Sequence, residues 1–132
     1  MTKRKVGLPR AKVVIIEDDA ALRESLEKNL ARRFDVTALS SGEDDIVGLV
    51  DSVAPDILVL DVNLPGPDGF ELCRRIRGGA ESKEIPVIFM TARSDDESFV
   101  KSLDVGGSSY IAKPFRVDEL LLRIESLLGL PI

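Results

Sequence analysis

Glu17, Asp18 and Asp19 follow directly on the apolar run "VVII" (13–16), and Asp61 follows directly on "ILVL" (57–60). Thr91 closes a third apolar run, "VIFM" (87–90), with the small Ala92 behind it, and Lys113 closes "YIA" (110–112), with Pro114 behind it. Groups able to do chemistry therefore recur at one place in the pattern, the C-terminal end of a strand-like segment. Carboxylates gathered on one rim repel, and at least one has its pKa raised unless a cation joins them. A hard divalent cation meets that need: Mg2+ (or Mn2+) suits a site offering few carboxylates, a carbonyl, several waters and a phosphate oxygen. Lys113 adds a positive point charge for a phosphoryl group. Thr91 adds a hydroxyl donor, and Ala92 adds room and a backbone N–H. Metal, charge stabilisation and an in-line nucleophile are what phosphoryl transfer asks of a protein, and a carboxylate can be that nucleophile, giving an acyl phosphate. The chain contains no histidine, which excludes catalysis by a histidine of its own.

These groups meet only if the segments carrying them lie side by side. Strands are predicted at 12–16, 35–40, 56–61, 86–92 and 108–113. Between and after them come helices at 21–33, with Leu22, Leu26 and Leu30 on one stripe, at 42–52, at 68–77, with Phe70, Leu72, Cys73 and Ile76 at helical spacing, at 94–106 and at 117–129. Asp19 reads as the N-cap of the first helix and Gly129 as the stop of the last. Runs that are apolar throughout, not alternating, belong to strands buried on both faces, as in a parallel sheet covered by helices. In such open sheets the site lies beyond the carboxyl ends of the strands. Pro65, Gly66, Pro67 and Gly69 read as a rigid turn, Cys73 as a packing residue, and Arg74, Arg75 and Arg77 as a solvated face.

The 132 residues favour a single domain, and 44% hydrophobic with 31% charged residues suits a folded globular chain. The net charge of −5 argues against direct nucleic-acid binding. No apolar run is long enough to span a membrane, and the basic start, "MTKRKVGLPRAK", has no signal-peptide core behind it, so a cytoplasmic location is expected. The single cysteine rules out an internal disulfide.

The segments "VVIIEDD", "LVLDVNLPGPDGFEL", "VIFMTA", "YIAKPF" and "DELLLRI" occur in this order between Lys12 and Leu128. Together they resemble the receiver domain of a two-component response regulator. The resemblance implies a flavodoxin-like (βα)5 three-layer sandwich with strand order 2-1-3-4-5. It places an N-terminal arm at 1–11, the receiver at 12–129 and a tail at 130–132. It further implies that Asp61 accepts a phosphoryl group from a histidine kinase or phosphotransfer protein. Asp18 would be a direct Mg2+ ligand, Glu17 would act through water, and Asp61 and the Asn63 carbonyl would complete the protein's ligands. Thr91 and Lys113 would contact the phosphoryl oxygens, Lys113–Pro114 would be a cis peptide, and Tyr110 would turn inward as Thr91 moves. The protein would act as a switch, not as an enzyme beyond its own phosphorylation and dephosphorylation. The surface of the 94–106 helix, the fifth strand and the last helix would carry the signal to an effector or output domain.

Two departures from the family pattern stand out. Glu17-Asp18 replaces the common Asp-Asp pair, which leaves metal binding in place with altered affinity expected. Arg123 and Glu119 fit the ion pairs by which receivers of winged-helix regulators dimerise, yet Ser108 and Ser109 stand where acids are usual, and Phe99 where a base is usual. A phosphorylation-dependent dimer stays open, but that type loses its partners, and the face is expected to take another one. Asn63 and Arg93 flank the site and would tune hydrolysis of the acyl phosphate. Two other readings compete. A phosphorylation-independent binding module is disfavoured by the intact Asp18, Asp61, Thr91 and Lys113. A nucleotide-binding or phosphatase enzyme lacks a glycine-rich loop after the first strand, where "EDDAAL" stands. Both a complete single-domain regulator and a receiver followed by an output domain fit a chain ending at "LLGLPI".

Overall fold

The computed structural model describes residues 10–41, 45–79, 84–92, 101 and 105–129. Five strands, β1 (Lys12–Ile16), β2 (Asp35–Leu39), β3 (Ile57–Asp61), β4 (Val87–Thr91) and β5 (Ser109–Ala112), form one parallel sheet in the order β2-β1-β3-β4-β5. Among the described residues the helices are α1 (Ala20–Leu30), α2 (Ile46–Val53), α3 (Gly69–Arg77) and α4 (Val117–Leu128). The expected helix at 94–106, with Arg93 and Phe99, lies outside the described residues except for Lys101, Val105 and Gly106. So do 1–9 and 130–132. None of the helices is long and apolar enough to cross a membrane, among the described residues.

Strand alternation sorts the sheet into two cores. Val14, Ile16, Leu58, Leu60 and Phe89 pack with Ile46 and Val50 of α2 and with Phe70, Leu72 and Ile76 of α3. Val13, Ile15, Val59, Ile88 and Met90 pack on the other face with Leu26 and Leu30 of α1 and with Leu120 and Ile124 of α4. Both faces are covered, which is why β3 and β4 are buried along their whole length. The chain leaves β1 for β2 on one side and returns to β3 on the other, so the switch point lies between the carboxyl ends of β1 and β3. Those ends carry Glu17, Asp18 and Asp61.

The local signals act where the sequence places them. Asp19 caps α1, its Oδ1 accepting from Ala21 N and Leu22 N at 3.0 and 3.3 Å. Asp68, the first residue of the predicted 68–77 helix, instead stands just outside α3 and caps it, accepting from Glu71 N at 2.9 Å. Helix α1 stops at Leu30 instead of Arg33. Phe34 must turn under the sheet, where it is buried, before β2 begins at Asp35, and its N–H closes on Leu30 O at 2.9 Å.

Tertiary contacts add to the reading of several residues. Arg74 and Arg75 are exposed and pair with Glu71 at 2.7 and 3.1 Å, but Arg77 turns inward and donates to the carbonyls of Ile85 and Gly106. The loops leading into β4 and β5 present these carbonyls, which the guanidinium bridges. Ser108 accepts from Val87 N through its hydroxyl at 3.2 Å and donates its own N–H to Val87 O at 2.8 Å, joining the starts of β4 and β5. Arg10 and Ala11 belong to the packed body: Ala11 is buried, and Arg10 Nη2 donates to Ala31 O at 2.9 Å. Cys73 is buried with its Sγ donating to Val105 O, and burial pushes its thiol pKa up, as suits a packing residue.

Candidate functional site

Because all five strands run parallel, their carboxyl ends share one edge of the sheet. Glu17 leaves β1 with its N–H on Leu39 O at 3.0 Å and its side chain fully buried. Its Oε1 accepts from Lys113 Nζ at 2.6 Å and its Oε2 from Asp19 N at 3.1 Å. Asp61 ends β3 with only 2% of its surface exposed. Its Oδ1 accepts from Asn63 N at 3.1 Å and lies 3.3 Å from Lys113 Nζ. Glu17, Asp18 and Asp61 bring carboxylate oxygens within 4.8 Å of one another, with Asp18 exposed and the other two buried. A set of anionic oxygens with one open side is what a hard divalent cation requires.

The charges are unevenly compensated. Burial pushes the Glu17 carboxyl up to about 7, and the neighbouring Asp61 pushes the same way, against the pull of Lys113 and the Asp19 N–H. Burial alone would lower the Lys113 pKa, but Glu17 and Asp61 outweigh it and raise the ammonium above its ordinary value. Lys113 is thus held charged between two carboxylates, closer to Glu17 than to Asp61.

Thr91 ends β4 and is fully buried, its carbonyl accepting from Lys113 N at 2.6 Å. Its register partner on β5 is Ala112, and Tyr110 pairs with Phe89 two residues earlier. Alternation places Thr91 and Tyr110 on the same side of the sheet, where Tyr110 is half-buried against the α2–α3 core. The Lys113–Pro114 peptide is cis. Beside the carboxylates opens a concave, mainly apolar space of about 420 Å³ lined by Leu22, Ala92, Lys113, Pro114 and Phe115.

Two further residues shape the rim. Arg23, which no sequence signal singles out, donates from Nη1 to the carbonyls of Glu17 and Asp18 at 2.9 and 3.3 Å. Gly69, read as part of a turn, opens α3 where a Cβ would lie 2.3 Å from Asp61 O and 2.9 Å from Asp61 C. Those are backbone atoms and cannot swing aside. Gly69→Ala is expected to destabilise the fold by about 3 kcal/mol, the upper range for overpacking. Urea unfolding reads this directly, and wild-type stability in the variant would show that the helix start has room to retreat.

Residues 13–125 match the family model described as the response regulator receiver domain. The phosphate regulon transcriptional regulatory protein PhoB of Rhizobium meliloti is 38% identical over 118 residues, covering 89% of this chain and 52% of that protein. The transcriptional regulatory protein AfsQ1 of Streptomyces coelicolor is 41% identical over 116 residues, covering 88% and 50%. The chain therefore spans about half the length of the curated relatives it matches. Among solved structures, the BeF3-activated DrrB receiver domain aligns with a TM-score of 0.80 at 34% identity, covering 92% of this chain and 99% of that one. Chemotaxis protein CheY4 of Vibrio cholerae aligns with a TM-score of 0.84 at 24% identity over 89% of this chain and 98% of that one, a likeness of fold.

Proposed function

The chain belongs to the response regulator receiver domain family, phosphorylation-activated signalling switches, and from that premise we propose that Asp61 is its phosphoacceptor. The observation that carries this reading is the meeting of Asp61 with Glu17, Asp18 and Lys113 at the switch point of the sheet. An Asp61 carboxylate oxygen attacks the phosphorus of a phosphohistidine on a partner kinase or phosphotransfer protein. The oxygen–phosphorus bond forms as the phosphorus–nitrogen bond breaks, and the electron pair leaves with the imidazole, which takes up a proton. Glu17, Asp18, Asp61 and the Asn63 carbonyl would hold Mg2+ (or Mn2+), which supplies charge neutralisation for the phosphoryl oxygens. Lys113 is already charged and half-buried beside Asp61, so it can follow the growing negative charge without reorganising. Thr91 donates its hydroxyl to a phosphoryl oxygen, and Tyr110 follows Thr91 because the two share one side of the sheet.

The readout surface lies around β5 and α4. There Arg123 is engaged within the chain, with Nη1 donating to Ser109 Oγ at 3.1 Å and Nη2 lying 3.7 Å from Glu119. Ser108 is likewise spent on Val87. These engagements favour a partner or output domain over the winged-helix type of dimer. The switch acts in the cytoplasm, where histidine kinases present their phosphohistidine, and needs no catalysis beyond its own phosphorylation and dephosphorylation.

Treating the protein with acetyl phosphate and Mg2+ should add the mass of one phosphoryl group. Borohydride trapping should locate it at Asp61, and EDTA should suppress it. Folded protein that gains no mass in Mg2+ would overturn the proposal.

A further inference from the structure

We propose that Arg23 is a positioning residue for the Asp18 carboxylate, and through it sets the affinity of the acidic cluster for a divalent cation. The inference rests on the phosphoryl-accepting site proposed above and extends it to a residue outside the cluster. The three carboxylates are not held alike. Glu17 is fixed at both oxygens, by Lys113 Nζ and by Asp19 N. Asp61 is fixed by Asn63 N and Lys113 Nζ. Among the described residues, none of the hydrogen bonds or ion pairs takes the Asp18 carboxylate, which is exposed, yet it lies within the same 4.8 Å cluster.

Its place must therefore come from its backbone. The sheet ladder has ended at this point, so the carbonyls of Glu17 and Asp18 have no strand partner. One guanidinium nitrogen, Arg23 Nη1, takes both, at 2.9 and 3.3 Å. Two successive carbonyls pinned to one donor fix the peptide plane between Glu17 and Asp18 and hence the direction in which the Asp18 side chain leaves. Arg23 is tied in turn to the same turn, its N–H donating to Asp19 O at 2.9 Å. A cation binds a set of carboxylates more tightly when their supporting groups hold them in place, and loss of such support costs affinity about ten- to a hundredfold.

The test is Mg2+ binding by calorimetry and Mn2+ binding by electron paramagnetic resonance, on wild type, Arg23→Ala, Arg23→Gln and Arg23→Lys. The expected result is a loss of affinity of about tenfold or more in Arg23→Ala and Arg23→Gln. Arg23→Lys, whose ammonium can still donate to carbonyls, should recover part of it. Phosphorylation by acetyl phosphate should need more Mg2+ in the variants but reach the wild-type rate at saturation, a pattern that general loss of structure does not give. Unchanged metal affinity in folded variants, or a lower plateau with unchanged metal dependence, would overturn the inference. Gln and Lys keep the test readable if Ala fails to fold. Wild type that binds no Mg2+ would instead sink the site on which the inference rests, a separate outcome.

Discussion

Asp61→Asn is expected to take no phosphoryl group from acetyl phosphate in Mg2+, and to be more stable than wild type in the metal-free state. The two expectations have one cause. Asp61 is buried beside Glu17 and Asp18, two like charges, with Lys113 as its only cationic partner among the described residues, and that lysine lies closer to Glu17. Ionised carboxylates this close repel by a few kcal/mol at the effective dielectric of a protein, and the lost attraction to Lys113 offsets only part of this. The amide keeps the shape and can still accept from Asn63 N, but it carries no charge and no nucleophilic oxygen. The expected gain in unfolding free energy is about 1–2 kcal/mol. The gain is larger at pH 8 than at pH 6, because Glu17, pushed up to about 7, is itself ionised only at the higher pH. Intact mass and urea unfolding in EDTA check the two halves. Phosphoryl uptake by the variant would remove Asp61 from the role of acceptor, and a loss of stability would mean that its bond to Lys113 outweighs the repulsion.

The second large effect is a fall in the stability of metal-free protein as pH rises. Folded Glu17 titrates near 7, against 4.5 in the unfolded chain, so between those values the folded state holds a proton that the unfolded state has released. The stabilisation is complete below about 4.5 and is lost as pH rises through about 7. At 1.36 kcal/mol per pH unit the loss amounts to about 3 kcal/mol. Other shifted groups act in other windows. The Glu71 carboxyl is lowered by its hydrogen bonds to Arg75 and Arg74, and its contribution is lost only as pH falls below the ordinary carboxylate range. The raised Lys113 and Cys73 act in the alkaline range. Urea unfolding in EDTA from pH 5 to pH 8 reads the slope, and a flat or rising profile would contradict the assignment. The same proton must leave when the cluster takes a divalent cation. Apparent Mg2+ affinity should therefore rise by about tenfold per pH unit below 7 and level off above it. Calorimetry in buffers of different ionisation enthalpy counts the released proton.

Both predictions turn on groups that were legible in the chain. Glu17, Asp18, Asp61, Thr91 and Lys113 each end an apolar run, and parallel strands put their carboxyl ends on one edge, so the rim could be drawn before any coordinates. The strands themselves begin and end within a residue or two of where the apolar runs place them. The cap at Asp19 and the stop at Gly129 are equally local, set by a side-chain oxygen or a left-handed φ within a few residues. The strand order was different: continuous apolar runs require a parallel sheet but do not say which strand lies beside which, and the order 2-1-3-4-5 came from resemblance.

Other features had no signal in the sequence. Arg77 and Arg74 look alike along the helix, and only the carbonyls of Ile85 and Gly106 draw one of them inward. Ser108 reads as a missing acid until Val87 N is seen to need its hydroxyl. Gly69 reads as a turn residue until the Asp61 carbonyl is found where its side chain would be. The chain alone determined the five strands, the cap at Asp19 and the set of reactive groups at one edge, because apolar runs, helical spacing and capping oxygens act over a few residues. Only the tertiary structure decided that Lys113 closes on Glu17 across 96 residues, that burial holds the Glu17 proton to about pH 7 against the pull of that lysine, and that Arg23 grips the turn bearing Asp18. Those outcomes depend on burial and on which distant donor reaches which oxygen first, and both are set by how the helices pack on the sheet.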